Sequence, residues 1–228
     1  MKEAITYQET CPHHDNDCPV FSELKMLREQ CKRLQELTQI DALTGLYNFR
    51  YLLKTLEDEM ERTRRTAIPT SLVMIDLDHF KQINDSFGHE SGNRILQWMG
   101  KFFRQHTRSI DRLCRYGGEE FVIILPGTRL AAAAQAAERL RSGLSNTCLK
   151  MNGTPVRLTA SFGVDTYRGR RNMTAREFIS RADSFLLKAK SSGRNRVCYQ
   201  GGDTTIAPTQ ITSDEREALF IVSKLKTG

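Results

Sequence analysis

Four carboxylates in two short stretches carry the chemistry available to this chain. Asp76 and Asp78 flank Leu77 at the acidic end of the apolar run SLVMIDLD, and Glu119 and Glu120 follow Gly117 and Gly118 in RYGGEEFVIILP. The apolar run reads as a buried strand, and the Gly-Gly pair between two β-rich runs reads as a hairpin tip. A hairpin paired beside that strand brings Asp76 towards Glu119. Gathered carboxylates repel one another unless they are protonated or hold a cation. Oxygen donors alone suit Mg²⁺, which usually takes one or two carboxylates together with substrate phosphates. Gly117 and Gly118 have no side chains, so a nucleotide can lie against their backbone. Read alone, the same stretch also fits a tight hairpin with two solvated acids.

Basic residues stand near these acids. Lys81 follows the acidic strand end closely, and Lys190 and Arg194 lie four apart at the end of the last helical pattern. Each can grip phosphate oxygens. Taken singly, Lys190 and Arg194 equally read as charges that complement a helix dipole. The formal net charge is +7, but Lys and Arg are spread with no block of five or six, which favours a local phosphate site over a nucleic-acid surface.

The elements that must position these groups alternate along the chain. Residues 1–21 are polar. From Ser22 to Ile40 a helix is expected, with Leu24, Leu27, Cys31 and Leu34 on a narrow seam of the kind that pairs with another helix. DALTGLYN breaks it, and a second helix runs from Phe49 to Arg65. The strand Ser71–Asp78 follows, then HFKQINDSFGHESGN as loop or short helix, then a helix from Arg94 to His106. Strands near Asp111–Tyr116 and Glu120–Leu125 form the hairpin. The run RLAAAAQAAERLRSGL is a helix by propensity, and VRLTASFGVDTY reads as one strand. TAREFISRADSFLLKAKSSG is an amphipathic helix with Thr174 and Glu177 in capping-box spacing and Gly193 at its end. RNRVCYQ is a last strand, GGDTTIAPTQ a flexible linker, and a short helix is expected from Thr212. Residues 41–200 therefore read as one α+β domain with a central sheet flanked by helices, and residues 201–228 as linker and tail.

An apolar content of 39% and a charged content of 27% describe a globular protein. No apolar run approaches the roughly 20 residues that span a bilayer, and MKEAITYQET lacks the apolar core of a secretory signal. The expectation is a cytoplasmic protein with no membrane or nucleic-acid partner. Its six cysteines are then no disulfide framework.

Taken together, the motifs resemble a known family. RYGGEEF resembles the GG(D/E)EF signature of the GGDEF-domain diguanylate cyclases, bacterial enzymes that make cyclic di-GMP from GTP. DALTGLYN is similar to the opening segment of that domain, IDLDHFKQINDSFGHESGN to its metal- and guanine-binding stretch, and AKSSGRN to its closing segment. The match covers about Asp41 to Val197. The resemblance implies a palm-like nucleotidyl-cyclase fold preceded by a signalling helix that pairs two copies, with room here for only about 20 residues ahead of it. It implies that Asp76, the Leu77 carbonyl and Glu119 hold Mg²⁺ or Mn²⁺, with Glu120 a further ligand or a base. It implies that Lys81, Lys190, Arg194 and the amides near His79 and Phe80 hold the triphosphate, and that Asn84 contacts guanine. Two GTP-loaded domains must then meet in a homodimer.

One position departs from the family. The usual Asp that reads the guanine edge is Asn93 here. A carboxylate accepts from both guanine donors, whereas an amide offers one acceptor and one donor, which adenine matches. GTP is the expected substrate, with ATP and a cyclic GMP-AMP product as the alternative. Arg108–Asp111, RSID, resembles the RxxD site at which cyclic di-GMP inhibits these enzymes, so a non-catalytic cyclic di-GMP receptor is a further reading. The cluster Cys11, His13, His14, Asp15, Asp17 and Cys18 has metal-ligand types at a spacing that matches no usual zinc pattern.

Overall fold

The structure, a computed structural model, describes residues 22–30, 39–151, 153–169 and 172–204. The Cys11–Cys18 cluster, Cys31 and Leu34 of the seam, and the tail helix expected from Thr212 lie outside the described residues. Residues 22–30 are helical (α1), with Leu24 and Leu27 exposed.

Strand β1 (Thr70–Leu77) is buried at every position, because its apolar run has no polar face to offer solvent. It lies at the centre of a six-stranded sheet of order β2-β3-β1-β6-β7-β8. Its antiparallel neighbours are β3 (Glu120–Leu125) and β6 (Ala160–Tyr167). The hairpin partner β2 (Arg112–Gly117) is one edge. The other side is closed by β7 (Val197–Tyr199), parallel to β6, and β8 (Gly202–Thr204).

Alternate residues of β1 serve two cores. Val73 and Ile75 join Ile123 under helices α4 (His89–His106) and α5 (Leu130–Ser145), through Ile95, Met99, Phe103, Ala137 and Leu140. Leu72 and Met74 join Val122 and Ile124 under helices α2 (Phe49–Thr66) and α6 (Ala175–Ser191), through Leu52, Leu56, Phe178 and Leu186. At Gly163 of β6 a side chain would run into the backbone of Ala182 and Leu186, so glycine lets α6 lie close on the sheet. The expected Thr174–Glu177 capping box starts α6.

Four expectations need correction. HFKQINDSFGHESGN holds a short helix, α3 (Phe80–Phe87), one of the two forms its pattern allows, but it also holds the start of α4, which begins at His89 rather than Arg94. Gly88, at φ 82°, re-aims the chain between them in a single residue. VRLTASFGVDTY is two strands: β5 (Thr154–Arg157) pairs with β4 (Cys148–Met151) in a separate hairpin before β6 enters the main sheet. Gly201, at φ 86°, turns the start of the expected linker back as β8. Arg194 is not on the last helix, since α6 ends at Ser191. Among the described residues no helix is long and apolar enough to cross a membrane.

Candidate active site

The site lies where β1 ends and β3 begins. Asp76 stands opposite Glu120 across the two strands, and the Leu77 amide donates to the Glu119 carbonyl at 3.4 Å. Gly118 and Glu119 form a two-residue turn between Gly117 and Glu120, which pair. Gly118 has φ 46°, a conformation that favours glycine. The hairpin tip is thus set beside the strand end by register, not by loop reach.

Charge accumulates there. Asp76 is 8% exposed, and the Lys190 Nζ lies 2.7 Å from its Oδ2. Burial pushes the Asp76 pKa up, the Lys190 ammonium pulls it back, and Glu119 and Asp78 push it up again, so the net direction is upward. Burial also raises Glu120, with Asp76, Asp183 and Glu119 adding to the rise against Lys190. Among the described residues no three His, Cys, Asp or Glu side chains stand ready to hold an ion as a closed set. The donors at hand are a few carboxylates and a backbone carbonyl, all oxygen, in a place where mutual repulsion favours a cation. That donor set fits a hard divalent ion that takes its other ligands from phosphates and water.

The expected phosphate ligands occupy three places. Lys190 is in the last turn of α6 and on Asp76. Arg194 is exposed, two residues past the Ser192 C-cap, at φ 60°. Lys81 is exposed on α3, outside the Lys190–Asp76 pair. His79, at φ 58°, turns the chain from β1 into α3, whose first amides have no intrahelical partner. Phe80 is buried beneath that turn. Asn84 is on α3 and Asn93 on α4, on the two sides of the elbow at Gly88. The Asn84 carboxamide oxygen fills the space where a Gly92 side chain would be, and Asn93 is exposed beside it.

Two positioning pairs were not foreseen from sequence. Arg115 donates through Nε and Nη2 to the Gly118 carbonyl, at 3.0 and 2.8 Å, and through Nη1 to both Asp41 carboxylate oxygens, each at 3.2 Å. DALTG and RYGG are therefore one unit that holds the hairpin tip. Their only sequence signal is that both motifs are present. Asp78, buried, accepts from Ser161 Oγ at 2.7 Å and from the Asn195 amide at 3.0 Å, so it ties the loop after α6 to the strand end.

The RSID segment closes on itself. The Arg108 amide donates to Asp111 Oδ2 at 2.9 Å, and the Asp111 amide donates to the Arg108 carbonyl at 3.1 Å. The other oxygen, Oδ1, is buried with no partner, and burial raises the Asp111 pKa. Two cavities touch this turn. One, of about 450 Å³, is lined by Tyr47, Arg104 and Arg112; the other, of only about 30 Å³, is lined by Arg139 from α5, which sequence reasoning missed.

Residues 38–196 match the family model described as diguanylate cyclase, GGDEF domain. The chain belongs to this family. The response regulator PleD of Caulobacter vibrioides is 39% identical over 173 residues, which are 75% of this chain and 38% of that protein. The chain thus spans well under half the length of this relative. The structure is similar to that of the diguanylate cyclase SiaD of Pseudomonas aeruginosa, solved with its activator SiaC, at 38% identity and TM-score 0.68, over 78% of this chain and 68% of that one. It is also similar to the coiled coil and GGDEF domain of DgcB from Caulobacter crescentus, solved with c-di-GMP, at 26% identity and TM-score 0.68, over 79% and 95%. These likenesses agree with the mixed α+β fold of a GGDEF domain, a central sheet flanked by helices. In this GGDEF domain the signature glutamates are the ones at the β2–β3 turn.

Proposed function

We propose that the chain is a diguanylate cyclase that condenses two GTP into cyclic di-GMP with release of two pyrophosphates. The observation that carries this reading is the cross-strand pairing of Asp76 with Glu120 beside the Gly118–Glu119 turn, with Lys190 on Asp76. Asp76, the Leu77 carbonyl, Glu119 and Glu120 hold the divalent ion, Mg²⁺ or in its place Mn²⁺. When bound, that ion lowers the pKa of the attacking ribose 3′-hydroxyl and neutralises the phosphates. The chain's own residues do the rest by position and charge. Lys190 and Arg194 hold triphosphate oxygens, with Lys81 and the amides near His79 and Phe80. Gly117 and Gly118 leave room for the nucleotide against the hairpin, and Asn84 and Asn93 meet the base edge. Glu120, opposite Asp76 across the strands, is also placed to take the hydroxyl proton.

One domain binds one GTP, so the reaction needs two copies face to face. The exposed Leu24 and Leu27 of α1 suit a helix pair that brings them together. Cyclic di-GMP, seen bound to the similar DgcB domain, is the product and also the inhibitor at Arg108 and Asp111, where the unpartnered Asp111 oxygen suits a guanine donor.

A second reading follows from Asn93. Its exposed amide suits adenine as well as guanine, which favours some cyclic GMP-AMP from GTP and ATP. Purified protein with Mg²⁺ and an equal mixture of GTP and ATP, its products separated by chromatography and mass, tests both readings. Cyclic di-GMP as the main product supports the first. A large share of cyclic GMP-AMP that falls in Asn93→Asp supports the second. No cyclic dinucleotide from folded, dimeric protein rejects both and leaves a receptor.

A further inference from the structure

The loop after α6 holds two consecutive non-glycine residues in the left-handed region, Arg194 at φ 60° and Asn195 at φ 44°. Such backbone persists only where the surroundings over-determine it, and it gathers at functional sites. Here it sits at the residue read above as a phosphate ligand.

Three elements hold the loop. The Arg194 amide donates to the Ala189 carbonyl at 3.0 Å, which ties it to α6. The Asn195 amide donates to Asp78 Oδ2 at 3.0 Å, which ties it to the end of β1, two residues past Asp76. The third tie comes from α5. Arg141 donates from Nη1 to the Asn195 side-chain oxygen at 2.9 Å and to its backbone carbonyl at 3.5 Å. Glu138 aims that guanidinium by accepting from Nε at 2.9 and 3.0 Å and from Nη2 at 2.6 Å. Both side chains are largely buried, at 17% and 15% exposed, so the clamp is little screened by solvent. The planar guanidinium is thus spent in two directions, a carboxylate on one edge and the loop on the other, a geometry that lysine cannot reproduce.

We propose that Arg141 is a positioning residue for the triphosphate. Through Asn195 it holds the loop from which Arg194 reaches the substrate, and Asp78 holds the same residue from the opposite side. The loop is therefore referenced both to the sheet end that carries Asp76 and to the helix that lines the small Arg108–Asp111 cavity through Arg139. This rests on the reading of Arg194 as a phosphate contact.

The test is a double-mutant cycle read by calorimetric binding of a non-hydrolysable GTP analogue with Mg²⁺, alongside kcat, KM and the thermal midpoint. Arg141→Met keeps the stem and removes the donors. Asn195→Gly removes the acceptor from the other side and keeps the left-handed backbone. Each is expected to weaken binding and raise KM about tenfold while kcat changes less than about threefold. In an Arg194→Ala background, adding Arg141→Met is expected to change binding less than about twofold, because the two act through one contact. Unchanged binding in both Arg141→Met and Asn195→Gly, with Arg194→Ala weakened, overturns the role of Arg141 and leaves Arg194 standing. An equal loss with and without Arg194 also overturns it, since Arg141 then acts on the domain at large. Undiminished binding by Arg194→Ala overturns the assignment of Arg194 itself, and the role of Arg141 with it.

Discussion

Lys190 neutralises Asp76: the ammonium at the end of α6 lies 2.7 Å from a carboxylate that is almost fully buried at the end of β1. A cation of the protein thus stands where the acids most need one. Lys190→Met should leave that charge unpaired and cost about 1–2 kcal/mol, a buried-pair loss discounted because Lys190 is 30% exposed. Burial already raises the Asp76 pKa, and loss of the lysine raises it further. A folded pKa above the unfolded value weakens the fold as pH rises through it. The deficit should therefore be full at neutral pH and close in acid. Thermal melts across pH, with and without Mg²⁺, check this, and added Mg²⁺ should recover part of the loss.

Gly92→Ala should disturb the nucleotide site through Asn84. A methyl group there meets the Asn84 carboxamide and Phe80. Overpacking of this kind costs about 1–3 kcal/mol, and here the part that yields is the Asn84 side chain. We expect KM for GTP to rise at least about fivefold with a midpoint lower by a few degrees. Unchanged KM would remove Asn84 from the base contact.

Asp41→Asn should loosen the hairpin tip. Burial would raise the Asp41 pKa, but hydrogen bonds from Thr44 and the Arg115 charge outweigh it and hold the carboxyl below its usual value. A depressed folded pKa stabilises the fold above the unfolded value and ceases to do so as pH falls through the folded one. The variant should be about 2 kcal/mol less stable at neutral pH, the scale of hydrogen bonds to a charged group. The gap between wild type and variant should close below about pH 4. Urea unfolding at several pH values measures it.

Arg108→Ala should relieve inhibition by cyclic di-GMP and leave the initial rate unchanged. Arg139→Ala should do so in part, since Arg139 lines the small cavity at the same turn from α5. Progress curves with added product check both, and an unaltered inhibition curve for Arg108→Ala would remove the second site.

The type of most elements could be read from the chain alone. The reason is that strand, helix and turn follow from local pattern: eight buried residues in β1, the Gly-Gly tip, the Thr174 cap. The order of four motifs also sufficed to recognise the family. Local pattern failed where one residue decides the path, as at Gly88, which starts α4 five residues early, and at Gly201, which makes β8. It allowed the hairpin to pair beside β1 but did not fix the contacts that close the sheet. β1 lies between β3 and β6, neither of them its neighbour in sequence, so the pairing of Asp76 with Glu120 and with Lys190 exists only once the sheet has formed. The same holds for Arg115 on Asp41, 74 residues apart, and Arg141 on Asn195, 54 apart. Each guanidinium finds its carboxylate or carbonyl through the packing of whole helices and strands, and no spacing in the chain encodes that meeting.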